Sequence, residues 1–190
     1  MKQHRSGLLF LMMLTFCGCA WQRIPVPPQY SASAPIPIRL GIILDESQST
    51  AYYGPGIINL RKEMKLFESI IYPYRKGDIL DGVMKLSIKG GWKGSGRGAG
   101  VLIGLTLGLA SAGVGPSMTG VHYATAVLSK GATETGKYTV HVESNVTWGM
   151  AANTTEVSNK SDDLQRRKIA VEMAKKFEAD RTLIIKAFGK

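Results

Sequence analysis

The sequence predicts an α+β fold, in which a small antiparallel or mixed sheet of about four strands carries two helices on one face. The evidence for the sheet is an alternation of apolar and polar residues over Lys137–Trp148. The evidence for the helices is apolar spacing of three and four residues in Ile57–Ile71 and Ile169–Phe177. In chain order the elements are β-α-β, a glycine-rich apolar insert at 94–120, and then β-β-α.

The first half of this pattern is a strand, a helix and a strand. The apolar run Ile38–Leu44 predicts the first strand, and Gly54-Pro55-Gly56 should interrupt the chain after it. The helix then follows and should end at Pro73, because proline cannot continue the hydrogen-bonding ladder. The alternation around Met84–Ile88 predicts a second strand with one solvated face.

The second half predicts two strands and a helix. His122–Ser129 and Lys137–Trp148 should form the strands, with a turn at Gly131–Gly136 between them. A polar loop over Gly149–Ser161 should precede the last helix, which Ser161 or Asp162 can cap. The apolar run Leu183–Ile185 either continues that helix or forms a short final strand.

The N-terminal residues have the pattern of a secretory signal peptide. A positive start, Lys2 to Arg5, precedes an apolar run at 7–16 and then Cys17-Gly18-Cys19. A cysteine at this point resembles the signal of bacterial lipoproteins, which implies that the mature chain begins with a lipidated cysteine. Glycine before Cys19 suits the peptidase better than phenylalanine before Cys17, so Cys19 is the preferred lipidation site and Cys17 the alternative.

The leader defines the predicted organisation of the whole chain. Residues 1–19 form the signal peptide, 20–37 a proline- and serine-rich tether, and 38–190 the α+β domain. No cysteine follows Cys19, so a disulfide framework is not expected. The lipoprotein resemblance, with Ala20 and not aspartate after the cysteine, implies attachment to the outer membrane with the domain facing the periplasm.

The charge pattern limits the partners. Lysine and arginine number 24 against 14 aspartate and glutamate residues, a formal net charge of +10. Such a chain can face nucleic acid, anionic lipid or an acidic protein. The positive residues are scattered, and the chain carries no nucleic-acid motif with interleaved aromatic residues. We therefore expect solvated basic faces and no nucleic-acid partner.

The insert is distinguished by small residues at a four-residue spacing. No charged residue occurs between Arg97 and His122. The small residues that recur every fourth position are Gly96, Gly100, Gly104, Gly108 and Ala112. On a helix this spacing creates a smooth ridge, which allows close packing of apolar helices in lipid. The sequence therefore predicts oligomer and membrane packing through this ridge.

Three structures of the insert are open. A helical hairpin that enters the bilayer and returns, with its turn at Gly115 and Pro116, keeps all strands on the side of the lipid anchor. A barrel built from several chains requires an inward polar alternation that the insert lacks. A buried glycine-rich segment outside the membrane is the third alternative. The hairpin is the preferred hypothesis.

The element order resembles that of small periplasmic α+β domains such as the N-terminal domain of TolB. A glycine-rich apolar hairpin within a lipoprotein domain resembles the TraT surface-exclusion lipoproteins. These resemblances imply a fold and a cellular location, and no functional residue is transferred from either family.

The residues that suggest chemistry have simpler explanations. Gly131–Lys137 matches the first part of a phosphate-binding loop, but a strand follows where a helix is required, so a hairpin turn is expected. His122 and His141 are expected to be surface imidazoles and not metal ligands. The paired acids Asp45-Glu46 and Asp78/Asp81 lie at predicted turns, where carboxylates commonly bind the backbone.

These observations predict a non-catalytic, membrane-anchored envelope lipoprotein without a cofactor or metal. Its expected partners are the lipid bilayer, further copies of the same chain and other envelope proteins. The alternative hypothesis is an oligomeric outer-membrane export pore, or an accessory subunit of a secretion system. An enzyme acting on envelope polysaccharide is a third hypothesis, and it requires a cleft with a perturbed carboxylate or histidine.

Overall fold

The computed structural model describes residues 22–75, 77–94, 117–148 and 154–190. In these ranges the elements are β1 (Gln22–Arg23), β2 (Ile36–Leu44), α1 (Gln48–Glu63), β3 (Phe67–Ile71), β4 (Gly82–Gly94), β5 (Ser117–Lys130), β6 (Thr133–Trp148), α2 (Thr154–Ala179) and α3 (Arg181–Phe188). The strands form a mixed sheet in the order β1-β6-β5-β4-β2-β3. The α+β class is confirmed, with six described strands and three described helices where about four and two were predicted.

The strand pairing explains the mixed character of the sheet. Strand β2 is parallel to both β3 and β4, whereas β1 is antiparallel to β6. Parallel neighbours require a crossover, which α1 provides between β2 and β3. Strands β5 and β6 are joined at Gly131, whose φ of 59° suits a tight turn. The predicted hairpin is therefore confirmed, because a strand and not a helix follows Gly131, but the turn is shorter than the predicted Gly131–Gly136 since β6 begins at Thr133.

The chain divides into two compact units. The larger unit comprises Val26–Gly91, Val121–Glu143 and Asp162–Lys190. The described part of the smaller unit comprises 22–25, 92–94, 117–120, 144–148 and 154–161. In the smaller unit Gln22 pairs with Trp148, and Val146 and Val157 are buried.

The core of the larger unit lies between one face of the sheet and the helices. Alternate residues of the strands contribute Ile38, Leu40, Met84, Leu86, Ile88, Ala124, Ala126, Leu128, Tyr138, Val140 and Val142. The helices contribute Tyr53, Ile57, Ile58, Leu60, Ile169, Ala170, Met173, Ala174, Phe177, Ile184 and Phe188. Each large aliphatic or aromatic side chain buried here stabilises the fold by about 1.5–3 kcal/mol. The alternation predicted for β6 is confirmed by the burial of its three core residues.

The Gly54-Pro55-Gly56 segment lies inside α1, so the predicted interruption is wrong. Tertiary packing explains the two glycines. A Cβ atom at Gly54 would lie 2.8 Å from the Leu44 side chain, and one at Gly56 would lie 2.7 Å from the Arg166 side chain. The glycines thus allow α1 to approach its neighbours closely, and this contact outweighs their low helix propensity.

The end of α1 differs from the prediction as well. The helix ends at Glu63, and Lys65 adopts a positive φ of 49° that turns the chain away from the helix axis. Phe67 and Ile71 consequently lie on strand β3 and not on the helix. Three- and four-residue spacing over a short segment fits both elements, which explains the error.

The described part of α2 begins at Thr154, so Ser161 and Asp162 lie within the helix and do not cap it. The Ser161 hydroxyl donates to the carbonyl oxygen of Val157, one turn earlier, at 2.6 Å. The Asp162 carboxylate instead accepts hydrogen bonds from two tyrosines of α1. Good capping residues inside a helix cannot be distinguished from true caps by local sequence alone.

Two further segments add to the larger unit. In the segment predicted as a tether, Tyr30 and Ala32 pack against the core, and Ile36 starts strand β2. Arg181 donates to the carbonyl oxygens of Ala34 and Pro35 at 2.7 and 2.6 Å. The run Leu183–Ile185, left undecided between helix and strand, lies in the short helix α3.

Strand β4 contains adjacent glycines that offer a matched test of the packing. Gly90 has a φ of 118°, and a Cβ atom there would collide with the Val121 carbonyl oxygen, whereas a Cβ atom at Gly91 meets nothing within 4 Å. We expect Gly90→Ala to lower the free energy of unfolding by about 2–4 kcal/mol. Gly91→Ala should change it by less than about 0.5 kcal/mol. Urea unfolding of both variants measures the difference, and equal values would contradict the described register of β4.

Candidate functional site

The predicted lipidation and packing residues lie outside the residues that the structure describes. These are Cys17, Cys19, Gly96, Gly100, Gly104, Gly108, Ala112, Gly115 and Pro116. The candidate site is therefore built from the rest of the chain. None of the helices in the described ranges combines the length and the apolar character needed to cross a bilayer.

The sheet of the larger unit has a second face, which we call the open face. It is formed by the side chains of β4, β5 and β6 that alternate with the core residues: Lys85, Ser87, Lys89, Tyr123, Thr125, Val127, Lys137, Thr139 and His141. These residues are exposed or partly exposed. Because successive side chains of a strand point to opposite faces, a well-packed core on one side fixes what the other side presents.

A shallow depression on the open face gathers positive charge. We call it the lysine groove, and it is lined by Asp45, Lys85, Ser87, Lys89, Tyr123, Thr125, Val127 and Lys137. Its volume is about 340 Å³. The lining contains three lysines and one aspartate, so it carries a formal charge of +2. Such a surface favours an acidic partner over a basic or neutral one.

The Asp45 carboxylate of the lysine groove has a structural role. The Ser47 backbone N–H and hydroxyl lie 3.1 and 2.7 Å from Asp45 Oδ1. Burial acts to raise the pKa of Asp45, but hydrogen bonds from Ser87, Thr50 and Ser47 overcome it and hold the pKa below its usual range. Asp45 therefore stays ionised and engaged at the start of α1, as the turn interpretation of this acid predicted.

An aromatic platform lies on the same face. The Tyr123 ring stacks on the His141 imidazole with centroids 4.5 Å apart and an interplanar angle of 9°. His141 Nε2 lies 3.3 Å from Glu143 Oε1, and its side chain is 45% exposed. The predicted surface position of His141 is thus confirmed. The platform offers a flat apolar surface beside the cationic groove.

The surface position predicted for His122 is wrong. His122 is fully buried, on the core side of β5, and its ring contacts Tyr53 edge-on at 4.7 Å. Burial lowers the pKa of His122, although the charge of Asp162 acts in the opposite direction. Because His122 and His141 lie on opposite faces of the sheet, they cannot bind one metal ion together.

A partly buried polar cluster joins α1 to α2, and no sequence pattern predicted it. The hydroxyl groups of Tyr52 and Tyr53 donate to the two oxygens of Asp162 at 2.6 and 3.1 Å. The Arg166 guanidinium lies over both rings, 5.3 and 5.8 Å from their centroids. The hydrogen bond to Asp162 and then burial raise the pKa of Tyr52. Asp162 therefore links α2 to α1. Because the two helices are more than 90 residues apart in sequence, no local pattern indicates this contact.

The remaining acids singled out in the sequence are also held by local contacts. Asp78 Oδ2 accepts from the Arg75 backbone N–H at 2.6 Å. Asp81 accepts from the Arg39 backbone N–H at 2.8 Å and lies 3.0 Å from Lys190 Nζ. Burial acts to raise the pKa of Asp81, but its bonds to Arg39 and Lys190 lower it to about 2. These acids serve turns and strand ends, as predicted.

The comparisons with known proteins give structural neighbours only. No protein-family model matches the chain, and no curated protein matches it at a significant level. A minor lipoprotein from Acinetobacter baumannii is similar over 75% of this chain and 94% of its own, with 12% identity and a TM-score of 0.44. A Xanthomonas campestris protein of the DUF330 family matches over 86% and 93%, with 10% identity and a TM-score of 0.47.

The rare lipoprotein B of Shewanella oneidensis is a further structural neighbour. It matches over 77% of this chain and 98% of its own, with 8% identity and a TM-score of 0.44. The neighbours thus include bacterial lipoproteins. At these identities and TM-scores, none of them transfers an activity or a binding site to this chain.

The lysine groove makes a testable electrostatic prediction. Neutralising its cations in Lys85→Gln/Lys89→Gln/Lys137→Gln should weaken binding of polyglutamate at low salt by about tenfold or more. The matched control, Lys175→Gln/Lys176→Gln/Lys186→Gln, removes the same charge from the helices. Fluorescence anisotropy with labelled polyglutamate measures both affinities. An equal loss in the two variants would show that net charge alone, and not the groove, attracts the acidic polymer.

Proposed function

We propose that this chain is a non-catalytic lipoprotein of the bacterial envelope, anchored through acyl chains on Cys19. The observation that carries the proposal is the leader, in which a positive start and a short apolar run end in Cys17-Gly18-Cys19. In this proposal the anchor lies in the outer membrane and the domain faces the periplasm. Several acyl chains give firm attachment, whereas one chain gives marginal binding.

The α+β domain would act as a binding domain and not as an enzyme. The acids that sequence analysis singled out as possible catalysts, Asp45, Asp78 and Asp81, bind backbone or side-chain donors of the fold. The open face, whose side chains are exposed or partly exposed in the described part of the chain, carries the lysine groove and the Tyr123–His141 platform. We therefore propose that the open face binds an acidic surface of another envelope component.

Self-association is proposed for the glycine-rich insert. Its small residues recur every fourth position over 96–112, a spacing that suits close helix packing within lipid. Copies held by the insert would present several lysine grooves together, which strengthens binding to a partner by avidity. An oligomer that also conducts ions in planar bilayers would instead support the export-pore hypothesis.

The proposal predicts a lipidated N-terminus. Intact mass spectrometry of the membrane-extracted protein should give a mass that begins at Cys19 with a diacyl or triacyl addition. Cys19→Ser should leave the protein unacylated, while Cys17→Ser should leave the mass of the mature protein unchanged. A native protein that begins elsewhere, or carries no acyl group, would contradict the anchor.

The same extracted sample tests the insert. In Gly104→Leu/Gly108→Leu, side chains on the ridge should hold helices apart and reduce oligomer size in mild detergent. Gly113→Leu places the same side chain off the four-residue series and serves as the control. Light scattering after size exclusion measures the mass of each. Unchanged oligomers in the double variant would remove the packing role of the ridge without affecting the lipid anchor.

A further inference from the structure

A second cavity of the larger unit lies at the C-terminal end of α1, beside strand β3. It is lined by Pro35, Arg61, Lys62, Lys65, Phe67, Glu68, Ser69 and Ile70. Its volume is about 330 Å³, which is within the lower range of small-ligand sites. None of these residues belongs to the lysine groove, and the proposed function makes no use of them.

Arg61 lines this cavity and is completely buried. Burial lowers the pKa of Arg61 to about 9, so the guanidinium stays protonated near neutral pH. Arginine is almost never fully buried without a partner, because removing its charge from water is costly. The contacts that this side chain makes therefore have to account for its position.

Two contacts stabilise the Arg61 guanidinium partly. Its Nη1 lies 2.9 Å from Met84 Sδ, and its Cζ lies 5.1 Å from the centroid of the Phe177 ring. A thioether is a weak acceptor, and a ring face attracts a cation without accepting its N–H groups in hydrogen bonds. The last turn of a helix, where Arg61 lies, also favours positive charge. None of these contacts is an anion.

Two nitrogens of the guanidinium, Nε and Nη2, take part in neither contact and form one edge of the group. Nε and Nη2 are both buried, and neither has a hydrogen-bond partner within the described part of the chain. These two nitrogens point the same way from the planar group and are the pair that binds the two oxygens of a carboxylate or phosphate side by side. Met84 contacts Nη1 and the Phe177 ring lies against the guanidinium, and neither contact supplies an acceptor to the Nε–Nη2 edge.

We propose that this cavity is a binding site for a small organic oxyanion, a carboxylate or a phosphate monoester, held by the Nε–Nη2 edge of Arg61. Lys62 and Lys65 line the cavity from exposed positions and attract the anion, while Glu68 contributes the one negative charge of the lining. Phe67 and Ile70 give the cavity an apolar wall. A short apolar substituent on the anion lies against this wall.

The test uses the full-length protein in detergent and four probes at constant ionic strength: acetate, hexanoate, inorganic phosphate and chloride. Isothermal titration calorimetry should show saturable binding of the oxyanions and none of chloride. Hexanoate should bind about tenfold more tightly than acetate, because its chain buries apolar surface on Phe67 and Ile70. Absence of saturable binding by every oxyanion would overturn the proposal.

Variants locate the site. Arg61→Met retains the apolar packing of the side chain and removes the charged edge, so it should abolish saturable binding while the melting temperature stays the same or rises. If Arg61→Met does not fold, Lys62→Gln/Lys65→Gln replaces exposed residues and should weaken oxyanion affinity about threefold to tenfold. The control Lys175→Gln/Lys176→Gln removes two exposed charges from α2 and should bind as the parent protein does. Equal affinity in the parent, Arg61→Met and Lys62→Gln/Lys65→Gln would contradict the proposal.

A lipid head group is one source of this anion, and vesicles distinguish it from a free metabolite. Flotation of Cys19→Ser, which lacks the proposed anchor, compares vesicles of phosphatidylglycerol with vesicles of phosphatidylcholine. Binding to phosphatidylglycerol that Arg61→Met abolishes identifies a lipid head group, and binding of free hexanoate or phosphate alone identifies a soluble ligand. Both results support the site, and neither depends on whether Cys19 is acylated in the cell.

Discussion

The packing around Phe177 is the contact on which the rest of the larger unit depends. Its ring is fully buried and lies edge-to-face against Phe67 and Tyr138, with centroids 5.4 and 4.7 Å apart. Arg61 approaches the same ring at 5.1 Å. One side chain of α2 thereby contacts β3, β6 and α1, elements that are far apart in sequence. Such aromatic contacts add about 0.5–1.5 kcal/mol each to the stabilisation from burial.

Covering one face of the sheet with helices determines what the other face can do. Once Met84, Leu86 and Ile88 point into the core, Lys85, Ser87 and Lys89 must point out, since alternate side chains of a strand lie on opposite faces. The same reasoning places Tyr123 and Lys137 on the open face. The lysine groove is therefore a direct consequence of the core. The Arg61 cavity has a different origin, because it lies where α1 ends and the chain turns into β3.

The features that the sequence predicted correctly have a local cause. The alternation of β6 could be recognised because apolar, buried residues and polar, exposed residues follow each other one by one from Tyr138 to Val142. The turn at Gly131 and the structural roles of Asp45 and Asp81 followed from the ordinary chemistry of turns.

The features that the sequence did not predict depend on contacts between distant residues. Gly54 and Gly56 lie inside a helix at positions where a Cβ atom would crowd the side chains of Leu44 and Arg166, and neither neighbour is adjacent in sequence. Aspartate is a common helix-capping residue, but Asp162 lies within a helix and accepts hydrogen bonds from Tyr52 and Tyr53. His122 occupies a position that local polarity assigns to the surface, yet it is buried beside Tyr53. The burial of Arg61 was not predicted either, because arginine is ordinarily exposed and its contacts come from other elements.

If the open face of the sheet binds a partner while the protein is in the membrane, its lysines should be shielded there. Amine-reactive labelling of lysines, read by mass spectrometry, measures this directly in native envelopes and again after extraction of the protein to a detergent-solubilised monomer. We expect Lys85, Lys89 and Lys137 to react at least severalfold more slowly in the envelope, while Lys175 and Lys176 react equally in both samples. Equal reactivity of the groove lysines before and after extraction, or protection of the helix lysines instead, would contradict it.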